Sequence, residues 1–349
     1  MRPTVTAIAV LALAGNFAGR GFALDGVAAP PPPAGGASDA PPASDGSDPA
    51  ETARRRADRR AREQQAAWRQ SHPGKAYSYG DDPKHGIVWA SCLPPERQSQ
   101  VLAMLAAQSE QQAAYLFGGM PETEVFVAVG TEKDVKKVVG GSATTGGVYE
   151  HPKRRIVIAD PDVPLRHEWT HAMHFAHMER LGQPHAMWVQ EGLAALYERY
   201  EIAADGAITF LPTERHDVAR KAASNRKGLT VASMAAMEPD PFMAKSQTTY
   251  PVARSVFEFM ADRGKLRAWY RRYVETFAKD PTGRAAIEST FGMSVEDFDR
   301  AWREWVLARP AGAGTRAAAP GHPAVLPLGL DRPGSSGDFR DRALPQSES

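Results

Sequence analysis

His167, Glu168 and His171 stand in the order H-E-x-x-H within the stretch HEWTHAMHFAH, residues 167–177. A helix turns by about 100° per residue, so two histidines four apart stack on one face within reach of a single ion. Two neutral imidazoles suit zinc, which needs a third protein ligand and an open position to be catalytic. Glu168, beside the first ligand, is placed to take a proton from a zinc-activated water. Cys92 is the only cysteine. A cysteine-based zinc site and an intramolecular disulfide are therefore both excluded, which leaves histidine and carboxylate as ligands.

Two residues compete to be the third ligand. His177 extends the motif to the spacing H-E-x-x-H-x-x-G-x-x-H, but His174 stands where that pattern has its turn-forming glycine. No helix breaker lies between His171 and Gly182. On an unbroken helix His177 sits roughly 9 Å beyond His171 at a rise of about 1.5 Å per residue, too far for a ligand bond of about 2.0 Å. A metzincin-like site using His177 would need a break at His174. Glu191, in WVQEGLAALYE (188–198), needs only a helix hairpin turning at Gly182-Gln183-Pro184. Gly192 would then permit close approach, with Leu193 and Leu196 buried between the two helices. An exposed helix carboxylate is the competing reading of Glu191; the three-ligand-plus-water pattern of catalytic zinc favours ligation.

Several elements must hold these residues in place. Gly86 to Ser91 reads as an apolar strand, Pro94 to Phe117 as a helix and Thr123 to Val129 as an alternating strand. A short helix is expected at Lys133 to Val139. After the glycine-rich turn 140–147 come strands at Val148 to His151 and Arg155 to Ala159. Asp160-Pro161-Asp162-Val163-Pro164 supplies helix-start chemistry, with carboxylates to cap free amides and prolines suited to a first turn. The motif helix then runs to Gly182, and a second helix is expected from His185 to Tyr200. The remainder to Leu307 reads as helices, apart from a strand near Ile208 to Leu211. The fold class is α+β: a small mixed N-terminal sheet with an active-site helix, then a mostly helical C-terminal subdomain.

The two ends differ from this middle. Residues 1–23 combine Arg2, an apolar run from Val5 to Ala14 and small residues near Gly21-Phe22-Ala23, the pattern of an export signal. The expected location is therefore periplasmic or secreted, with no stable membrane span after cleavage, since the run is shorter than the roughly 20 residues a bilayer needs. Residues 24–74 are expected to hold a disordered Pro/Ala-rich tether and an Arg-rich helix, 75–309 the catalytic domain, and 310–349 a disordered tail. The arginines at 54, 55, 56, 59, 60 and 62 raise the question of nucleic acid. Without interleaved aromatics, and with a net charge of only +1, the expected reading is a solvated helix and no nucleic-acid partner.

The motif HEWTH, with nineteen residues (172–190) before Glu191 and the setting W-x-x-E-G-L-A, resembles the gluzincin branch of the MA-clan zinc metallopeptidases. It is most similar to bacterial peptidase-MA-like domains. The resemblance covers roughly Gly86 to Leu307, taking in GGVYE upstream and TYPVARSVFEFMADRG and FGMSVEDFDRAWREWV downstream; it is specific around the motif and loose elsewhere. It implies a zincin-like fold and zinc held by His167, His171 and Glu191, with Glu168 as general base. It also implies a peptide or protein substrate laid along the edge strand near Gly146 to Glu150. Tyr250, before Pro251 at an expected helix start, is the candidate hydrogen-bond donor to the developing oxyanion; a packing or capping role competes for the same ring. Two rivals accompany this endopeptidase reading. One is an aminopeptidase using Glu150 to bind a free amine. The other is a non-catalytic envelope protein that keeps the fold for binding or scaffolding.

Overall fold

The computed structural model describes residues 49–74, 77–139, 146–225 and 227–311. The expected export segment, the tether before residue 49 and the tail after 311 lie outside them, as does most of the glycine-rich turn. The first half runs α1 (Pro49–Ser71), β1 (Ser78–Asp82), β2 (Ile87–Ser91), α2 (Pro95–Gln112), β3 (Val125–Val129), α3 (Glu132–Val139), β4 (Gly147–Glu150) and β5 (Arg155–Ile158). β-branched and apolar runs such as IVWAS, VFVAV and RIVI make the inner strands, because such side chains pack well on a pleated, buried surface. Strand order is β1-β2-β3-β5-β4. β2, β3 and β5 are parallel, while β1 and β4 run antiparallel at the two edges.

Side chains alternate between two buried faces, as the period of two requires. Ile87, Val125, Val127, Val129, Ile156 and Ile158 join the main core. Val88, Ala90, Phe126, Ala128 and Val157 face the other way and are covered by Ala61 and Trp68 of α1 and Val135 of α3. Composition predicts a solvated Arg-rich helix; α1 docks instead. Gln65 donates to the carbonyls of Gly80 and Trp89, Asp58 accepts from the Glu124 amide, and Arg62 pairs with Glu124 at 2.6 Å. The packed body therefore extends back along α1 as far as Asp58, ahead of Lys75.

The second half runs α4 (Val163–Leu181), α5 (Met187–Leu196), β6 (Tyr200–Ile202), β7 (Ile208–Phe210), α6 (Arg215–Ser224), α7 (Val231–Ala235), α8 (Pro239–Ala244), α9 (Ser246–Asp262), α10 (Leu266–Thr276), α11 (Arg284–Phe291) and α12 (Val295–Ala308). The whole is mixed α+β. α4 lies on the sheet beside β4 and β5 and ends at Gly182, whose φ of 64° is the left-handed turn that glycine supplies at a helix end. Asp162 precedes α4 without the expected cap: its carboxylate accepts from Arg97 at 2.5 Å instead. α5 stops at Leu196, four residues short of the expected Tyr200, and the chain turns into the β6–β7 hairpin. Every residue of α5 is buried. It packs chiefly on α9, and this is where Gly192 matters: a Cβ there would meet the Phe257 ring at 2.5 Å. The glycine thus admits α9, whereas the sequence points to α4 as the helix it lets approach. Among the described residues no helix is long and apolar enough to cross a membrane.

Candidate metal centre

α4 is unbroken from Val163 to Leu181, so His167 and His171 share a face as their spacing requires. Their Nε2 atoms lie 3.1 Å apart. The hairpin through Gly182 brings α5 back against α4, and Glu191 Oε2 arrives 3.4 Å from His167 Nε2 and 3.5 Å from His171 Nε2. All three side chains are buried to within 1 % exposure. No hydrogen bond accounts for the Glu191 oxygen among the described residues. The three separations do match the edges of a tetrahedral site, roughly 3.3 Å for ligand bonds of about 2.0–2.1 Å. These three residues are a group that can hold a metal ion.

The electrostatics point the same way. Burial opposes the charged imidazole of His167, yet the carboxylates of Glu191 and Glu198 outweigh it and raise the group to about 10. Burial likewise opposes ionisation of Glu191, and the two imidazoles overcome it and hold the carboxyl below its usual range. The carboxylates gathered here are negative charge that a divalent cation could match as well as a proton does, and a cation bound at Nε2 would take the place of the proton there.

Glu168 is fully buried at the sheet edge. Its Oε2 accepts the main-chain N–H of Tyr149 on β4 at 2.9 Å. Its Oε1 has no hydrogen-bond partner among the described residues. Burial, opposed by the histidines, raises its pKa above the ordinary glutamate value. Tyr250 also reaches the centre. Its ring lies parallel to that of His167 (14° between planes, centroids 6.3 Å apart), and it is 2 % exposed. The hydroxyl donates to Met243 Sδ at 3.3 Å. Burial first, and the Glu191 carboxylate next, raise its pKa, so the phenol keeps its proton. The sequence places Tyr250 at a helix start; α9 opens earlier, at Ser246, and Pro251 sits inside it. A proline there forfeits one bond in the opening turns, which the buried helix tolerates.

The remaining candidates fall elsewhere. Glu150 is held by Lys153 and by Arg155 Nε, each at 2.7 Å, so its charge is already matched. His177 lies under Phe117 and Tyr270, beyond the metal group, on a helix that makes no turn at His174. His174 stacks on Phe117 and approaches Nδ1 of His185 at 2.8 Å.

Two residues of the centre are not evident from the sequence. Glu198 Oε1 lies 3.0 Å from His167 Nδ1, behind the ring, and Arg215 grips both oxygens of Glu198 at 2.8 and 2.9 Å. Glu198 lies in the turn just past the end of α5 and Arg215 at the start of α6, so no motif spacing marks either of them. A scan against protein-family models and a search of curated proteins find no match to this chain.

Proposed function

We propose that this chain is a metal-dependent peptidase, most simply a zinc endopeptidase with a zincin-like fold of the gluzincin type. One observation carries the reading: two imidazole nitrogens and one carboxylate oxygen, buried and 3.1–3.5 Å apart, converge beside a glutamate whose second oxygen has no partner among the described residues. His167, His171 and Glu191 would hold the ion. When bound, zinc supplies Lewis acidity, bringing the pKa of water to about 7 and polarising a carbonyl.

The other steps belong to the protein. Glu168 is fixed at Oε2 by the Tyr149 amide, which aims Oε1 to receive a proton from the attacking water and return it to the departing amine. Its raised pKa suits that exchange, since a base tuned towards neutrality both takes and gives. Tyr250, kept protonated, exchanges a weak sulfur acceptor for the developing oxyanion. Strand β4 lies at the sheet edge, where an extended peptide can add by main-chain pairing. The neutralised Glu150 favours an endopeptidase over the aminopeptidase alternative. The partly unsatisfied Glu168 beside the ligand group favours catalysis over a scaffold role, which has no use for it.

The test joins metal analysis of the purified protein to a peptide-library digest of wild type and Glu168→Gln. The variant is expected to retain its metal and lose turnover by at least ~10³-fold, in line with the loss of a general base. Equal cleavage by the two proteins would overturn the mechanism.

A further inference from the structure

We infer that Arg215 is a positioning residue that fixes the Glu198 carboxylate behind His167 and thereby sets how tightly the centre holds its metal ion. The inference rests on the metal-site reading above and adds a residue that no motif contains. Arg215 opens α6, beyond the β6–β7 hairpin, 48 positions after His167. Its guanidinium meets Glu198 as a planar fork: Nε donates to Oε2 at 2.9 Å and Nη2 to Oε1 at 2.8 Å. Oε1 is also the atom that faces Nδ1 of His167 at 3.0 Å. One carboxylate oxygen therefore joins the arginine to the imidazole.

Charge explains why an arginine is needed. Glu168, Glu191 and Glu198 are each within 2 % exposure, and buried carboxylates are tolerated only when matched by positive charge. Neutral imidazole ligands contribute none. A divalent ion and Arg215 together supply three positive charges, equal to the three carboxylates. Without Arg215, Glu198 would be a buried carboxylate with neither a matching charge nor a fixed orientation. His167 would then lose the contact that fixes its tautomer, holds Nε2 towards the ion and raises its basicity as a ligand. Lysine cannot substitute, because a point donor cannot hold two oxygens in one plane.

The experiment measures dissociation constants for Zn(II) and Co(II) by competition with a chromophoric chelator. The proteins are wild type, Arg215→Met, Arg215→Lys, Glu198→Gln and the Arg215→Met/Glu198→Gln double variant, with apo melting temperatures recorded alongside. Arg215→Met and Glu198→Gln are each expected to weaken binding roughly 10–100-fold, the usual cost of losing an outer partner of a metal-bound histidine. Arg215→Lys, which keeps the charge and guards against a misfolded methionine variant, is expected to weaken it at least several-fold. Arg215 acts through Glu198, so adding Arg215→Met to Glu198→Gln should change the constant less than about threefold. Arginine variants that bind within about twofold of wild type, whatever their melting temperature, overturn the inference. So does a loss from Arg215→Met that persists undiminished in the Glu198→Gln background. Wild type that takes up neither ion overturns the metal-site reading itself, an outcome distinct from both.

Discussion

At the scale of single residues, Tyr250 separates packing from chemistry most cleanly. Its ring is buried against His167 and Phe242, but its hydroxyl donates to the sulfur of Met243, a weak acceptor. Tyr250→Phe therefore keeps the packing and removes one donor. The expected outcome is a fall in kcat of roughly 10²–10³, the range for losing an oxyanion donor, with KM and melting temperature nearly unchanged. A kcat within about threefold of wild type would return Tyr250 to the hydrophobic core. His167, Glu168 and His171 are legible in the sequence because helix geometry alone fixes their relation. Glu191 is legible because an apolar helical run after a Gly-Gln-Pro turn leaves few ways to fold back. Glu198 and Arg215 are not, since their meeting depends on where α5 stops and how the hairpin returns α6 to it. No local spacing encodes that tertiary event.

At the scale of elements, the centre depends on how closely α5 is clamped between its neighbours. Gly192 follows the candidate ligand Glu191, and the space a side chain would need is filled by Phe257, itself stacked on Trp188 with planes 3° apart. Gly192→Ala should push α9 away from α5 at a cost of about 1–3 kcal/mol, typical of overpacking. Any shift is transmitted to the adjacent carboxylate. Urea unfolding of the metal-free variant together with its zinc affinity would check this: both are expected to fall, and an unchanged pair would mean that the interface repacks without disturbing the ligand. The same elements show what patterning reveals. β2, β3 and β5 announce themselves by β-branched runs buried on two faces. β1 (SYGDD) and β6 (YEI) do not, because their polar edge residues form strands only by pairing with a neighbour already in place. α1 misleads for a related reason. Its arginines read as solvent-facing, while docking is achieved chiefly by Ala61, Trp68 and the Gln65 side chain bonded to two strand carbonyls.

At the scale of the whole molecule, a second set of histidines links stability to pH. His174 and His177 of α4 and His185 of the hairpin turn are packed among Phe117, Tyr270 and Tyr273. Burial, with a smaller push from His177, lowers His185 to about 3. Burial and then Arg180 lower His177 to about 4, and burial drives His174 well down. In the unfolded chain all three titrate near ~6.5. Between that value and their folded values the unfolded state binds protons that the folded state refuses, so stability rises with pH there. Their contribution is complete above about pH 6.5 and is lost progressively on acidification. In the metal-free protein His167 has the opposite sign: its folded pKa is raised, so it stabilises most at low pH and loses that contribution as pH rises from 6.5 towards 10. Comparing wild type with His185→Gln at each pH cancels His167 and isolates the buried set. Between about pH 6.5 and pH 5 the unfolded wild type carries one proton more than its folded form at His185, and a one-proton difference changes stability by roughly 1.4 kcal/mol for every pH unit crossed. From about pH 7 to pH 5 the wild type should therefore lose about 2 kcal/mol more than the variant. Urea midpoints at the two pH values give that difference. Parallel losses in the two proteins would mean that His185 is protonated as readily in the fold as outside it, and that the second histidine set is open to water.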